Sequence, residues 1–254
     1  MRSASVPAHP EIPGSLKFWN HRDLALLTGR SGIYGIAHIW LARLALGGSS
    51  VHVIDCAVRA DAHTLTEEAV RTGVAPELLL SAITVQRAFT PYQILDVLRA
   101  ELRREDAQER VVFIMAPCKQ FFDGDVAEDE CIFLLKKMLL VFRQFQRTGR
   151  PLMIVESEAY HSPHFAGVYA ALKRQTEILF EYRGPEPGRP FALAVRHRNG
   201  GYQIIRDEQP RPTLPQRGIR SGDNEDGSNH YALFHSNANG GGPPERLPAR
   251  AQAG

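Results

Sequence analysis

The sequence predicts an α/β protein: a mainly parallel sheet flanked by helices and extended at one edge by a C-terminal antiparallel hairpin. Two observations carry the parallel sheet. Apolar runs of four to six residues alternate strictly with stretches of helical periodicity. These runs are apolar at successive positions, as strands covered on both faces require. A third observation adds the hairpin, because Asn199-Gly200 stands between two alternating runs, and Asn-Gly is a strong two-residue turn signal.

In chain order, Asp23 to Thr28 reads as the first buried strand. Gly35 to Leu46 reads as a helix, since Ile36, Ile39, Trp40 and Leu44 recur at helical spacing. Ser50 to Asp55 is the second strand, followed by a helix from Thr64 to Thr72 that Gly73 stops and a short helical turn from Pro76 to Leu80. The strand Ile83 to Arg87 leads to a helix from Pro91 to Arg104, opened by a proline in the first turn. Val111 to Met115 is a buried strand, Asp129 to Thr148 a long amphipathic helix and Leu152 to Glu156 the fifth strand. After Pro163 the pattern changes: Ala170 to Tyr182 runs into the hairpin strands Phe191 to His197 and Tyr202 to Arg206.

At 254 residues and 43% hydrophobic content the chain has material for one core of about 200 residues. That core is expected over 14–207, between a disordered arm (1–13) and a disordered tail (208–254) rich in Pro, Gly and Arg. A formal net charge of +2 points to neither nucleic acid nor an anionic membrane. The N-terminal stretch lacks the apolar segment of a signal peptide, and no apolar run approaches the roughly 20 residues that span a bilayer. A cytoplasmic protein without a membrane partner is expected. Cys56, Cys118 and Cys131 are odd in number and widely spaced, which suits reduced thiols.

The segment that bears on chemistry is Leu24 to Leu46. It has the layout of a phosphate-binding loop, an apolar strand entering a glycine-rich turn and then a helix, without the lysine and hydroxyl that grip phosphate and magnesium. With Gly35 as the motif's last glycine, Ile36 falls at the lysine, Ala37 at the hydroxyl and Arg30 at the first glycine. Started at Gly29, the motif puts Tyr34 at the second glycine and Gly35 at the lysine. The amides of Gly32 to Ala37, with Arg30 as a source of charge, are what is left to bind an anion.

The run from Val53 to Val97 adds more specific features: an Ile54-Asp55 strand end, Gly73-Val74-Ala75-Pro76-Glu77, and a strand ending in Arg87-Ala88-Phe89 with Gln93 opening the next helix. Together these segments resemble the ATPase core of the RecA-like recombinases, particularly the archaeal and eukaryotic strand-exchange proteins and their paralogs, over residues 14–207. The resemblance implies a RecA-like P-loop fold and a context of DNA recombination or repair. It also implies where the hydrolytic groups should stand. Ala116 occupies the place of the magnesium-linked Asp, and Ala57 that of the catalytic Glu. The residue sensing the γ-phosphate falls near Glu156 or Ser157, where a carboxylate repels phosphate. The expectation is a degenerate paralog: a pseudo-ATPase with no cofactor and no catalytic residue, acting through contact with a RecA-family or DNA-repair protein. Ile33, Tyr34, Ile36 and Ile39 would fill or border the phosphate space. Two other readings stand beside it, an ATP-binding protein with an unusual loop and a nucleic-acid-binding module built on an Arg-rich hairpin.

Asp55 reads either as the cap of the next turn or as a remnant metal or water ligand. His161 and His164, near Glu156 and Glu158, lack any CxxC or HExxH spacing, so no metal site is expected. Cys118 reads as a buried reduced thiol. The two loops that meet DNA in the resembled family correspond to Lys119 to Glu130, with five carboxylates against one lysine, and Glu156 to Ala170, with no Lys or Arg. DNA binding through them is not expected. Arginines gather instead at Arg183, Arg189, Arg196, Arg198, Arg206, Arg211, Arg217 and Arg220, with no lysine among them. Those on the hairpin form either a basic stripe for nucleic acid or a partner, or a sheet edge protected by charge.

Overall fold

The computed structural model describes residues 14–20, 23–105, 110–122, 126–160, 164–184 and 191–206. The chain alternates strand and helix as the sequence predicts: β1 (Leu24–Gly29), α1 (Ile33–Leu46), β2 (Ser50–Asp55), α2 (Ala62–Arg71), α3 (Pro76–Ser81) and β3 (Ile83–Arg87). It continues through α4 (Pro91–Arg103), β4 (Arg110–Met115), α5 (Glu128–Thr148), β5 (Leu152–Ser157), α6 (Phe165–Gln175), β6 (Ile178–Arg183), β7 (Ala192–His197) and β8 (Tyr202–Arg206). One eight-stranded sheet results, in the order β3-β2-β4-β5-β1-β6-β7-β8. β1 to β6 are parallel, and β7 runs antiparallel to both of its neighbours.

Side-chain alternation along the strands divides the core in two. Ala25 and Leu27 of β1 pack with Ile36 and Trp40 of α1, Leu65 of α2 and Leu79 of α3. Leu24 and Leu26 face the other way, against Ile94 and Leu98 of α4, Phe142 of α5 and Leu172 of α6. Connections moving toward the β3 edge lie on the first face and those moving toward β8 on the second, as right-handed crossovers require. The chain therefore leaves β1 and β2 for one face and β4 and β5 for the other. Their carboxyl ends border a divergent crevice, the place where open α/β sheets bind ligands.

Local chemistry sets the helix ends. Asp61 caps α2 by accepting the His63 N–H at 2.9 Å. α5 opens on Glu128, Asp129 and Glu130, which suit its positive end, and closes on Gly149 at φ +64°.

Three readings need correction. α1 begins at Ile33, two residues before Gly35, because Gly32 takes φ +76° and its carbonyl already accepts the Ile36 N–H at 3.2 Å. The run from Ala170 to Tyr182 divides into the end of α6 and the strand β6, separated by Thr176 and Glu177. The hairpin turn has three residues, Arg198 to Gly200: His197 N–H donates to Gly201 O, Gly200 N–H donates to His197 O, and Gly200 takes φ +95°. This is a three-residue turn closed by a left-handed glycine, which differs from a two-residue Asn-Gly turn. Residues 1–13 and the tail from 208 lie outside the described residues.

Candidate functional site

The crevice at the carboxyl ends of β1, β2, β4 and β5 is where the sequence places its degenerate nucleotide site. Only Arg30, Ser31 and Gly32 separate β1 from α1. Ile33, Ile36 and Ala37 are buried in the core between α1 and the sheet, with Tyr34 and Ile39 packed against it. The Ile36 amide belongs to the helix ladder. Arg30 is exposed and Gly35 half-buried.

The loop glycines make room for β6. A Cβ at Gly29 would lie 2.3 Å from the Tyr182 carbonyl oxygen, and one at Gly32 would lie 2.7 Å from Tyr182 Cε1. Both glycines permit a close approach of protein to protein.

At the end of β2, Asp55 is fully buried and its carboxylate is consumed by backbone. Oδ1 accepts the N–H groups of Ala57 at 3.2 Å and Arg59 at 2.8 Å, and Oδ2 accepts that of Ala60 at 3.1 Å. The capping reading of Asp55 holds, and Ala57 is one of the residues it caps. His38 of α1 accepts the Asp61 N–H through Nε2 at 2.9 Å, and burial pushes its pKa below the usual imidazole range, which keeps it neutral.

The polar centre of the crevice is Glu156, at the end of β5 and fully buried. Its Oε2 accepts the Cys118 N–H at 2.7 Å and its Oε1 the Ser157 N–H at 2.9 Å. Burial, the largest influence, pushes its pKa up to about 7 against the hydrogen bonds from Cys118, Tyr160 and Ser157. Burial likewise raises the pKa of Tyr34, Tyr160, Cys118 and Cys56, with Glu156 adding to each. The Tyr34 hydroxyl is buried beside Tyr160 and Glu156 without a well-formed hydrogen bond among the described residues. The Arg59 guanidinium lies 5.0 Å above the Tyr34 ring. Ala116, just past β4, is buried at φ +51°, and its N–H donates to Val155 O at 2.8 Å. A left-handed alanine costs about 1 kcal/mol, and this one turns the chain so that the Cys118 amide meets Glu156.

A second layer closes over this centre. Thr28 donates to the Glu156 carbonyl at 2.8 Å, and its hydroxyl oxygen lies 2.9 Å from that of Tyr169, which donates to Glu158. Phe122 meets Tyr160 and Phe165 with ring centroids 6.1 and 5.8 Å apart, and Phe165 stacks on Tyr169 at 5.4 Å. The two loops compared with DNA-binding loops thus pack on each other through aromatic rings, and the second is helix from Phe165 onward.

Magnesium nucleotide does not fit these residues. The carboxylate of Asp55 is spent on amides, the Glu156 carboxyl is held on two more, and apolar side chains stand at the positions the sequence aligns with the lysine and hydroxyl. Of the histidine–carboxylate group, Glu156 turns to Cys118, Glu158 to Tyr169 and His164 to Glu128, while His161 lies outside the described residues. Among the described residues no group of three or more His, Cys, Asp or Glu side chains is placed to hold a metal. Tyr160, Tyr169 and Thr28 escape sequence reasoning, since they come from separate elements. Glu156 has a visible signal, a glutamate closing the apolar run Leu152 to Val155.

Of the candidate surface arginines, Arg183, Arg196 and Arg206 project from one face of β6, β7 and β8. Arg198 sits elsewhere, at the amino end of β6, lining a cleft of about 340 Å³ with Asp23, Glu177 and His197. Arg189, Arg211, Arg217 and Arg220 lie outside the described residues.

No protein-family model matches the chain, and a search of curated proteins returns no relative. Fold and site define the class by themselves: an α/β protein with an eight-stranded, mostly parallel sheet, helices on both faces and a C-terminal antiparallel hairpin. Among the described residues no helix is long and apolar enough to cross a membrane.

Proposed function

We propose that this chain is a RecA-like protein whose nucleotide site is closed by its own side chains. It works by contact, as a non-catalytic partner of a RecA-family or DNA-repair protein in recombination or repair. The observation that carries the inactive-site reading is Glu156: a fully buried carboxyl, held by two backbone amides, where phosphate would have to enter. Displacing it would strip those amides and bring like charges together, a cost that a nucleotide without lysine or magnesium ligands has nothing to offset. Gly29 and Gly32 support the same reading, because the space beside them is taken by Tyr182. The recombination context rests on the signature around Arg87, Ala88, Phe89 and Gln93. A sheet that needs no nucleotide to complete it is free to use its outer surfaces for a partner, and a heteromeric pairing follows from that.

The test is a thermal melt with and without millimolar magnesium-ATP. A ligand at 100 times its Kd adds about 2.7 kcal/mol, and at about 2–4 °C per kcal/mol for a domain of this size the midpoint would move by several degrees. The expected result is no shift. A clear rise would overturn the reading.

A further inference from the structure

We propose that the uncovered face of the C-terminal hairpin is a binding surface for single-stranded nucleic acid. The inference rests on that face alone and is independent of the state of the nucleotide crevice. β7 is paired so that Ala192 stands opposite both Arg183 of β6 and Arg206 of β8, placing those two arginines in one transverse row on the same side of the sheet. Arg196 lies two same-face steps along β7, directly opposite Tyr202, and Ile204 opposes Ala194 between them. Tyr202 is 56% exposed and Ile204 41% exposed, whereas Leu193 and Val195 on the other side of β7 are fully buried. Among the described residues α6 covers this side of β6 as far as Leu179, which stands opposite Arg196 and packs in one core with Leu172. Lys173 of α6 reaches as far as Glu181 at 2.7 Å, and Arg196 pairs with the same carboxylate. Glu181 is thereby neutralised, leaving Arg183 and Arg206 to set the sign of the face.

Size and chemistry decide the occupant. Strands about 4.8 Å apart place Arg183 and Arg206 about 10 Å from each other, and five residues of β8 extend about 15 Å, so the flat area is on the order of 150 Å². A stable protein interface needs about 800 Å² per partner, far more than this. A short run of nucleotides needs only what the face offers: guanidinium groups for successive phosphates, an exposed aromatic ring on which a base can stack, and a low alanine floor between them. Duplex DNA demands an element that enters a groove, which a flat sheet face does not supply. Single strands, with their bases available for stacking, fit it.

The experiment is fluorescence anisotropy of a labelled oligothymidylate titrated with the full chain. Two phosphate contacts, at Arg183 and Arg206, predict a log–log salt slope of about −1.4, so binding weakens about sevenfold between about 50 and 200 mM salt. Arg183→Glu with Arg206→Glu should weaken binding at least about tenfold, and Arg183→Gln with Arg206→Gln should weaken it in the same direction without reversing charge. Tyr202→Ala, which leaves every charge in place, should cost about fivefold or more through lost stacking. All three sites are exposed, and an unchanged melting midpoint certifies each variant as folded. The tail arginines remain in every variant, so oligonucleotide binding through the tail would survive the double substitution and overturn the proposal. Undiminished binding in folded Tyr202→Ala would also overturn it, as would tighter binding of an acidic oligoglutamate peptide than of the oligonucleotide.

Discussion

Gly29 shows how one residue type can serve opposite purposes in similar-looking loops. In a phosphate loop a glycine lets the backbone approach the ligand. Here it lets β1 approach β6, with the Tyr182 carbonyl oxygen 2.3 Å from where a Cβ would stand. Gly29→Ala should therefore lower stability by about 2 kcal/mol or more in the absence of any ligand, because backbone must move to admit the methyl group. Urea denaturation measures this directly, and an alanine variant as stable as the parent would show that the loop has slack the packing does not reveal. Asp55 makes the complementary case. Its carboxylate satisfies three buried or half-buried amides, and Asp55→Ala strands all of them. At about 1–3 kcal/mol per unsatisfied buried group the loss should reach about 3 kcal/mol, whereas removing a remnant metal ligand would cost little in metal-free buffer.

Elements are where sequence reasoning succeeds best, and the reasons are local. The segment Thr90-Pro91-Tyr92-Gln93 starts α4 by itself: Thr90 Oγ1 accepts the Gln93 N–H at 3.2 Å, and Gln93 Oε1 reaches back to the Phe89 N–H at 2.9 Å. This reciprocal cap is a capping box shifted by one residue. It gives the glutamine of the family-like signature a structural role. Thr90→Ala should cost about 1 kcal/mol, readable as a shift of about 2–4 °C in the melt, and an unchanged midpoint would mean that α4 is held by packing alone. The strands β2 and β4 fall where the apolar runs place them, since a strand buried on both faces shows its whole length as hydrophobicity. The start of α1 is less legible, because it depends on the backbone sign at Gly32, which no side chain announces. α6 is hidden for a different reason. Its helical stripe is short, and its first residues follow the His-Ser-Pro-His stretch that reads as loop. The candidate site divides along the same line. Lost lysine, hydroxyl and acid are visible as absences at fixed spacing, while the buried cluster of Glu156, Tyr160, Tyr34 and Cys118 assembles from three distant segments and exists only in the folded sheet.

At the scale of the whole molecule, buried carboxyls with opposite pKa shifts shape the dependence of stability on pH. Burial pushes Glu101 upward, but the hydrogen bond with His52 and the charges of Arg110 and Arg104 outweigh it and hold Glu101 below the usual range. Glu181 is likewise held low by Lys173 and Arg196 against its burial. A carboxyl depressed in the folded state stabilises above its unfolded pKa, and that stability is lost as pH falls through the folded value. Glu156 acts in the other direction. With its pKa raised from 4.5 to about 7, the folded protein holds a proton that the unfolded chain has already released. Its contribution is complete below about pH 4.5 and disappears as pH rises to about 7, amounting to about 3 kcal/mol over that interval. The Glu156 limb predicts a fall of about 5–10 °C in Tm between pH 5 and pH 8, moderated by His38, whose lowered pKa costs stability as pH falls below the usual imidazole range. Glu156→Gln keeps an oxygen for the Cys118 amide and removes the titration, so its Tm should stay nearly level across the same range and exceed the parent's at pH 8. Parallel curves with Glu156→Gln the less stable throughout would mean that Glu156 is already ionised at pH 5. The closed crevice would then hold a carboxylate at every physiological pH, a stronger barrier to phosphate than the half-protonated group described here.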